Sequence, residues 1–119
     1  MDFDIETTAA ALVQAIKGAS RSGWKKVSTL VTAQSRMMAL QATFITESTI
    51  SGPLRDEPEL RQLFIDQLAD SVRGLARDVA AMTILTLEKA WNAAVAVLWG
   101  AMNKALGAAG LGGILVPGL

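Results

Sequence analysis

Two aspartates in the middle of the chain are the first candidates for chemistry. Asp66 and Asp70 are four residues apart, about one helical turn, so they share one face of a helix. Two such carboxylates could hold a divalent cation or share a proton. Arg73 follows on the same face, at a spacing that favours an ion pair with Asp70. We therefore interpret this group as a solvated, charge-paired helix face and predict no metal site.

The segment from Gly18 to Lys25 is a second candidate, for phosphate binding. It reads GASRSGWK and is close to the pattern G-x-x-x-x-G-K-[ST], whose lysine directly follows the second glycine. Here Trp24 stands at the lysine position, and a helical pattern, not an apolar strand, precedes the segment. We interpret it as a turn between two helices.

Missing residue types exclude most catalytic chemistry. The 119 residues include no Cys, no His and no Tyr. Thiolate nucleophiles, imidazole bases and the usual zinc ligands are therefore unavailable to this chain. No acid–base constellation remains. We predict a protein that is not an enzyme, with no catalytic residues, no cofactor and no small-molecule substrate.

The elements that carry these residues are helices. Apolar residues recur at the helical period from about Ile5 to Lys17 and from about Trp24 to Glu47. Ser51-Gly52-Pro53 ends the second segment, because proline disfavours helix in the residue before it. No period-2 alternation indicates a strand. The predicted fold class is all-α.

A third helix is predicted to begin at Asp56-Glu57-Pro58-Glu59, where acids and a proline form a strong start signal. The next proline is Pro117, so this helix is predicted to run to Leu106, a length of roughly 70 Å. The expected architecture is an elongated helical hairpin with a short N-terminal helix and one very long C-terminal helix. Residues 1–106 would form a single helical assembly domain, and residues 107–119 an apolar, Gly-rich tail.

Apolar stripes on the helices suggest contacts between chains. On the second helix, Met37, Met38 and Phe44 could form an adaptable binding surface, although core or inter-subunit packing is favoured. On the third helix, one apolar stripe is interpreted as an assembly seam. Its members are Leu68, Val72, Leu75, Val79 and Met82.

The end of the chain carries the strongest expectation of a partner. The 31 residues after Glu88 include two charges, Lys89 and Lys104, and the stretch from Ala90 to Met102 is apolar almost all round. Such a helix must be buried in protein or in lipid, and a chain of this length is expected to offer little interior for it. The predicted membrane or subunit contact residues are Trp91, Val95, Leu98, Trp99, Leu111, Ile114 and Leu115.

Charges are segregated along the chain although the formal net charge is zero. The stretch from Lys17 to Arg36 includes five basic residues and no acid, whereas Asp56, Glu57 and Glu59 form an acidic block. We predict that the two blocks meet, between neighbouring chains. The basic run is too sparse for a nucleic-acid footprint, so no nucleic-acid partner is expected.

The Ala/Gly-rich apolar end on a charged helix resembles small internal or ejection proteins of tailed phages, which are packed in many copies and later meet the host envelope. The length and hairpin also resemble small secreted WXG-type proteins, but their Trp-x-Gly turn is missing, since Trp99 and Gly100 are adjacent. The leading interpretation is a structural subunit of a homo-oligomer or larger assembly, most concretely a virion or injection-apparatus component whose C-terminal segment inserts conditionally into a membrane. A virion or cell envelope is the favoured location. The alternative is a membrane-associated helical anchor or pore-forming protein.

Overall fold

The computed structural model describes residues 4–119, and within that range it has no strand. The all-α prediction is therefore confirmed. The four α-helices are α1 (Ile5–Ser20), α2 (Trp24–Ser51), α3 (Pro58–Met82) and α4 (Leu87–Ala108). A 3-10 turn, Arg21–Gly23, joins α1 to α2, so the glycine-bracketed segment is a helix–turn–helix connection.

Local signals account for most helix ends. The Asp4 side chain accepts a hydrogen bond from the Glu6 N–H and caps α1. Gly52, ahead of a proline, is the C-cap of α2. Pro58 is the first residue of α3, where its missing N–H costs nothing, as the sequence predicts.

The very long C-terminal helix is the part of the predicted fold that is wrong, because the chain leaves the helix at Thr83 and re-enters it at Leu87. The Thr83 hydroxyl donates to the Val79 carbonyl at 2.8 Å and accepts from the Leu85 N–H at 3.1 Å. Thr86 then caps α4 by accepting from the Lys89 N–H. Threonine side chains thus satisfy the backbone groups that the break exposes.

The helices form a four-helix bundle instead of an elongated hairpin. Each helix packs against the next in the chain, and α4 closes the bundle by packing against α1. Short connections between packed neighbours make them antiparallel. The molecule measures 44 × 24 × 19 Å, so the predicted 70 Å helix gives way to two helices side by side.

The apolar side of helix α4 is buried inside this bundle. The expectation that one chain is too small to bury this helix is therefore wrong. Its large side chains Trp91, Leu98 and Trp99 are buried, whereas Ala96 and Gly100 lie on its exposed side. Helix α4 therefore does have two faces, one of large side chains and one of small ones. The break at Thr83 makes this burial possible, because it folds α4 back onto the other three helices.

Candidate interaction surfaces

The residues of the predicted assembly seam lie mainly in the core of the bundle. Leu68, Val72, Leu75 and Val79 are at most 1% exposed, and Met82 is exposed at the end of α3. These four buried side chains pack within one apolar cluster supplied by all four helices. A contact between chains is therefore not required to bury them.

The predicted contact residues of α4 are also inside. Trp91, Val95, Leu98 and Trp99 are all buried in the same cluster. Trp99 is 1% exposed, and its indole Nε1 has no hydrogen-bond partner within residues 4–119. Trp99 therefore lacks the wet end that an interface position usually provides. The Arg73 guanidinium lies over the Trp91 ring, 5.3 Å from its centroid.

A face formed by α2 and α3 leaves large apolar side chains in solvent. On α2, Met37 is 63% exposed, and Leu40 and Phe44 are also exposed. On α3, Leu60 and Leu63 are exposed. The Phe44 ring contacts the half-buried ring of Phe64, with centroids 5.1 Å apart, so the two helices contribute to one patch. We call these six side chains and the exposed surface between them the α2/α3 face.

The sequence pattern predicts part of this face. Met37 and Phe44 belong to the binding surface that the sequence suggests, whereas Met38 beside them is buried in the core. Leu40 and Leu63 are not predicted. These leucines lie on a different side of each helix from the apolar stripe that faces the core. The sequence alone does not show which of the two stripes is exposed.

Charged side chains lie at both ends of the α2/α3 face. Around the α2–α3 loop, four acidic residues are exposed: Glu47, Asp56, Glu57 and Glu59. Arg55 and Arg61 offset part of this charge. Toward the other end lie Arg36 and, on α3, Arg77 beside Asp78. The ion pairs within residues 4–119 are Arg36–Glu6 and Arg73–Asp70, so the acidic block has no ion-pair partner in that range.

The last residues form a second apolar surface. We call residues 111–119 the C-terminal strap, because this segment has no regular secondary structure and lies along α3 and α4. Ile114 packs against the core, and Asn103 of α4 bonds both of its backbone groups. Farther along, Arg73 donates to the Gly118 carbonyl at 2.7 Å. Leu115 is 90% exposed, with Val116 and Leu119 exposed beside it.

Three residues of the strap are among the predicted contact residues. Leu111 and Ile114 are half-buried, whereas Leu115 is exposed to solvent.

A third small apolar group, Met82, Ile84 and Leu87, is exposed around the α3–α4 connection. All exposed large apolar side chains of residues 4–119 belong to the α2/α3 face, the strap or this connection.

Two clefts lie at the end of the bundle that contains the α2–α3 loop. One, of about 630 Å³, separates the strap from the loop and is bordered by Arg55, Asp56 and Arg61. The other, of about 690 Å³, has a floor of alanines from α4 and Asp4 and Lys104 at its edge. A hydrogen bond from the Thr7 hydroxyl lowers the pKa of Asp4 from its ordinary value of 3.8.

Of the two carboxylates on α3, Asp70 is ion-paired with Arg73, as predicted. Asp70 accepts from Arg73 at 2.7 Å, and Asp66 accepts from the Gln62 side-chain amide at 2.9 Å. Within residues 4–119, no group of three or more acidic side chains is placed to hold a metal ion. None of the helices in this range combines the length and apolar composition that a membrane crossing requires.

Comparisons with protein-family models, curated proteins and solved structures return no match for this chain.

Proposed function

We propose that this chain is a non-enzymatic structural subunit of an oligomeric assembly, joined to its neighbours through the α2/α3 face. The observation that carries the proposal is the clustering of exposed apolar side chains. Met37, Leu40 and Phe44 of α2 and Leu60 and Leu63 of α3 are exposed on two helices that contact each other through the Phe44 and Phe64 rings, although the bundle already has an apolar core. Contiguous exposed apolar surface of this kind marks interaction sites.

The most concrete form of this proposal is a small helical component of a virion or injection apparatus. What supports that form is the composition of the chain, with its Ala/Gly-rich apolar end, together with the exposed strap that this end forms. Many copies packed together would cover both the α2/α3 face and the strap.

Measurement of molar mass by light scattering and sedimentation tests the proposal. We expect the full chain to exceed its 12.5 kDa monomer mass as concentration rises. A double variant, Leu40→Asp with Leu63→Asp, should be monomeric with unchanged helicity. Ala96→Asp, on the exposed side of α4, is the matched control and should assemble normally. A full chain that stays monomeric up to high micromolar concentration would contradict the proposal.

A membrane-associated role is the second candidate, favoured by the strap. Leu115, Val116 and Leu119 are exposed on a segment without regular structure, and it is tied down by a few side-chain hydrogen bonds. Release of the strap would present an apolar segment to a bilayer. Flotation with vesicles of neutral and of anionic lipid tests this: the full chain should float, and Leu115→Glu with Val116→Glu should not. If neither the full chain nor the variant floats with the vesicles, the membrane-associated role is contradicted.

A further inference from the structure

We infer that the C-terminal strap is exchanged between copies of this chain. Residues 111–119 of one copy would occupy the surface of α3 and α4 that lies beneath the strap of another, which we call the strap groove. The strap fills this groove within one chain, and the same contacts are open to the strap of a second copy. Exchange of an identical segment joins copies at low cost, because it needs no new contact. This link is additional to the α2/α3 face and involves other residues.

The strap groove is fitted to this particular sequence. Asn103 bonds the N–H and the carbonyl of Ile114, and the Ile114 side chain packs against the core. A Cβ atom at Gly113 would lie 3.2 Å from Asn103 Oδ1, so the amide fits closely against a glycine. Farther along, Arg73 donates to the Gly118 carbonyl. A glycine followed by an isoleucine meets these requirements, and a second copy supplies that segment.

A single glycine folds the strap back onto its own bundle. Gly110 has a φ of 78°, in the left-handed region that glycine adopts without strain. The Leu111 N–H donates to the Leu106 carbonyl at 2.9 Å, which ends α4 in a tight reversal. A residue with a side chain at position 110 disfavours this reversal, and continued helix would carry the strap away from its own groove. Position 110 therefore controls whether a strap reaches its own groove or that of a neighbour.

The linker sets the distance between exchanging copies. Five residues lead from Ala109, the C-cap of α4, to Ile114, and they span at most about 17 Å when extended. The end of α4 in one copy must therefore lie within this distance of Asn103 in the other. Only copies in direct contact meet this condition, so exchange links neighbours within an assembly.

Concentration decides between a chain's own strap and that of a neighbour. A segment on a short linker has an effective concentration of roughly millimolar order at its own site, so dilute copies keep their own straps. Packed copies present the straps of neighbours at a comparable concentration, and this step rests on the proposed function. Leu115, Val116 and Leu119 stay exposed when the strap folds back, and a neighbouring bundle would cover them.

Two defective chains test the exchange by complementation. Asn103→Ala has an intact strap and a defective groove, whereas Ile114→Asp has an intact groove and a strap that does not bind. Both are made in a Leu40→Asp, Leu63→Asp background, which disables the α2/α3 face. Each chain alone should sediment as a monomer near 12.5 kDa. The mixture should form a one-to-one dimer, because the free strap of the first chain enters the empty groove of the second.

A mixture without an intact strap is the matched control. A chain with both Asn103→Ala and Ile114→Asp, mixed with the Ile114→Asp chain, offers an empty groove and no strap, and should stay monomeric. Circular dichroism shows whether every chain is folded. If folded Asn103→Ala and Ile114→Asp chains form no dimer at high micromolar concentration, the exchange is overturned. A dimer that forms equally well in the control mixture would also overturn it.

The hinge gives a second test, in the same background with groove and strap intact. Gly110→Ala should lower the concentration for half-association roughly tenfold, because a left-handed residue with a Cβ atom is disfavoured by about that factor. Gly112→Ala is the matched control, since its Cβ atom would meet nothing within 4 Å and its φ is not left-handed. Equal association of the two variants would overturn the role of Gly110 and exchange in the original chain.

Failure of this inference can be told apart from failure of the proposed function. If the complementing mixture stays monomeric while the original chain forms oligomers that Leu40→Asp with Leu63→Asp dissociates, exchange is overturned and the α2/α3 face keeps its role. If the mixture dimerises while the original chain is monomeric up to high micromolar concentration, the strap groove is supported and the proposed role of the α2/α3 face is overturned.

Discussion

The side-chain amide of Asn103 on α4 bonds both backbone groups of Ile114 in the strap. The Ile114 N–H donates to Asn103 Oδ1 at 2.7 Å, and Asn103 Nδ2 donates to the Ile114 carbonyl at 3.1 Å. The amide thus pairs with both backbone groups of one residue, as an adjacent β-strand would. It holds Ile114 against the core, while Leu115 beyond it stays in solvent.

Replacing this amide should release the strap. Asn103→Ala removes two hydrogen bonds, each worth about 0.5–1.5 kcal/mol. We expect faster amide hydrogen exchange at Ile114 and faster protease cleavage after residue 110, with little change in the melting of the bundle. Asn92→Ala, an exposed asparagine on the same helix, is the control. Equal cleavage rates in the two variants would show that the amide does not hold the strap.

Gly23, between α1 and α2, should tolerate a larger side chain poorly. A Cβ atom at position 23 would lie 2.9 Å from the Thr83 Cβ, and Thr83 is fixed by hydrogen bonds to Val79 and Leu85. We expect Gly23→Ala to destabilise the bundle by about 1–3 kcal/mol through overpacking. Gly18→Ala, in α1 with nothing nearby, should stabilise it by about 0.5–1 kcal/mol. Thermal melts of the two variants should shift in opposite directions.

Two leucines of α3 should separate folding from assembly. Leu75 is 1% exposed, and Leu63 is 52% exposed. Leu75→Asp would bury an unpaired carboxylate, which costs about 3 kcal/mol or more, so the helical signal itself should be lost. Leu63→Asp should keep the helical signal and lower the oligomer mass. Circular dichroism and light scattering on both variants check this, and a folded Leu75→Asp would show that the bundle core is wrongly placed.

The cap of α1 should respond to acid. The Thr7 hydroxyl and the Glu6 N–H bond the Asp4 carboxylate, so its pKa in the folded chain is below 3.8. A lowered folded pKa stabilises the fold above the unfolded pKa, and this contribution is lost as pH falls through the folded value. Asp4→Asn keeps a capping acceptor but does not titrate. The stability difference between the two chains should therefore be constant above about pH 5 and shift in favour of the variant toward about pH 2. Parallel pH profiles would contradict this.

Local sequence signals predicted those features that depend on near neighbours. Pro58 begins α3, Gly52 ends α2, and Arg73 pairs with Asp70 one turn away. Each of these depends on backbone chemistry or on residues within one helical turn, which the order of residues contains directly. The same holds for the all-α class, because helical periodicity is visible in every segment.

The break at Thr83 and the placement of the apolar stripes depend on the tertiary structure. No glycine or proline marks the break; threonine hydroxyls make it tolerable, and packing of α4 on the bundle makes it favourable. Once α4 folds back, Leu75 and Trp99 have an interior within one chain, whereas Leu40 and Leu63 have none. Periodicity shows which residues share a stripe on one helix. Whether that stripe is buried depends on which other helix packs against it, and contacts between segments distant in sequence decide this.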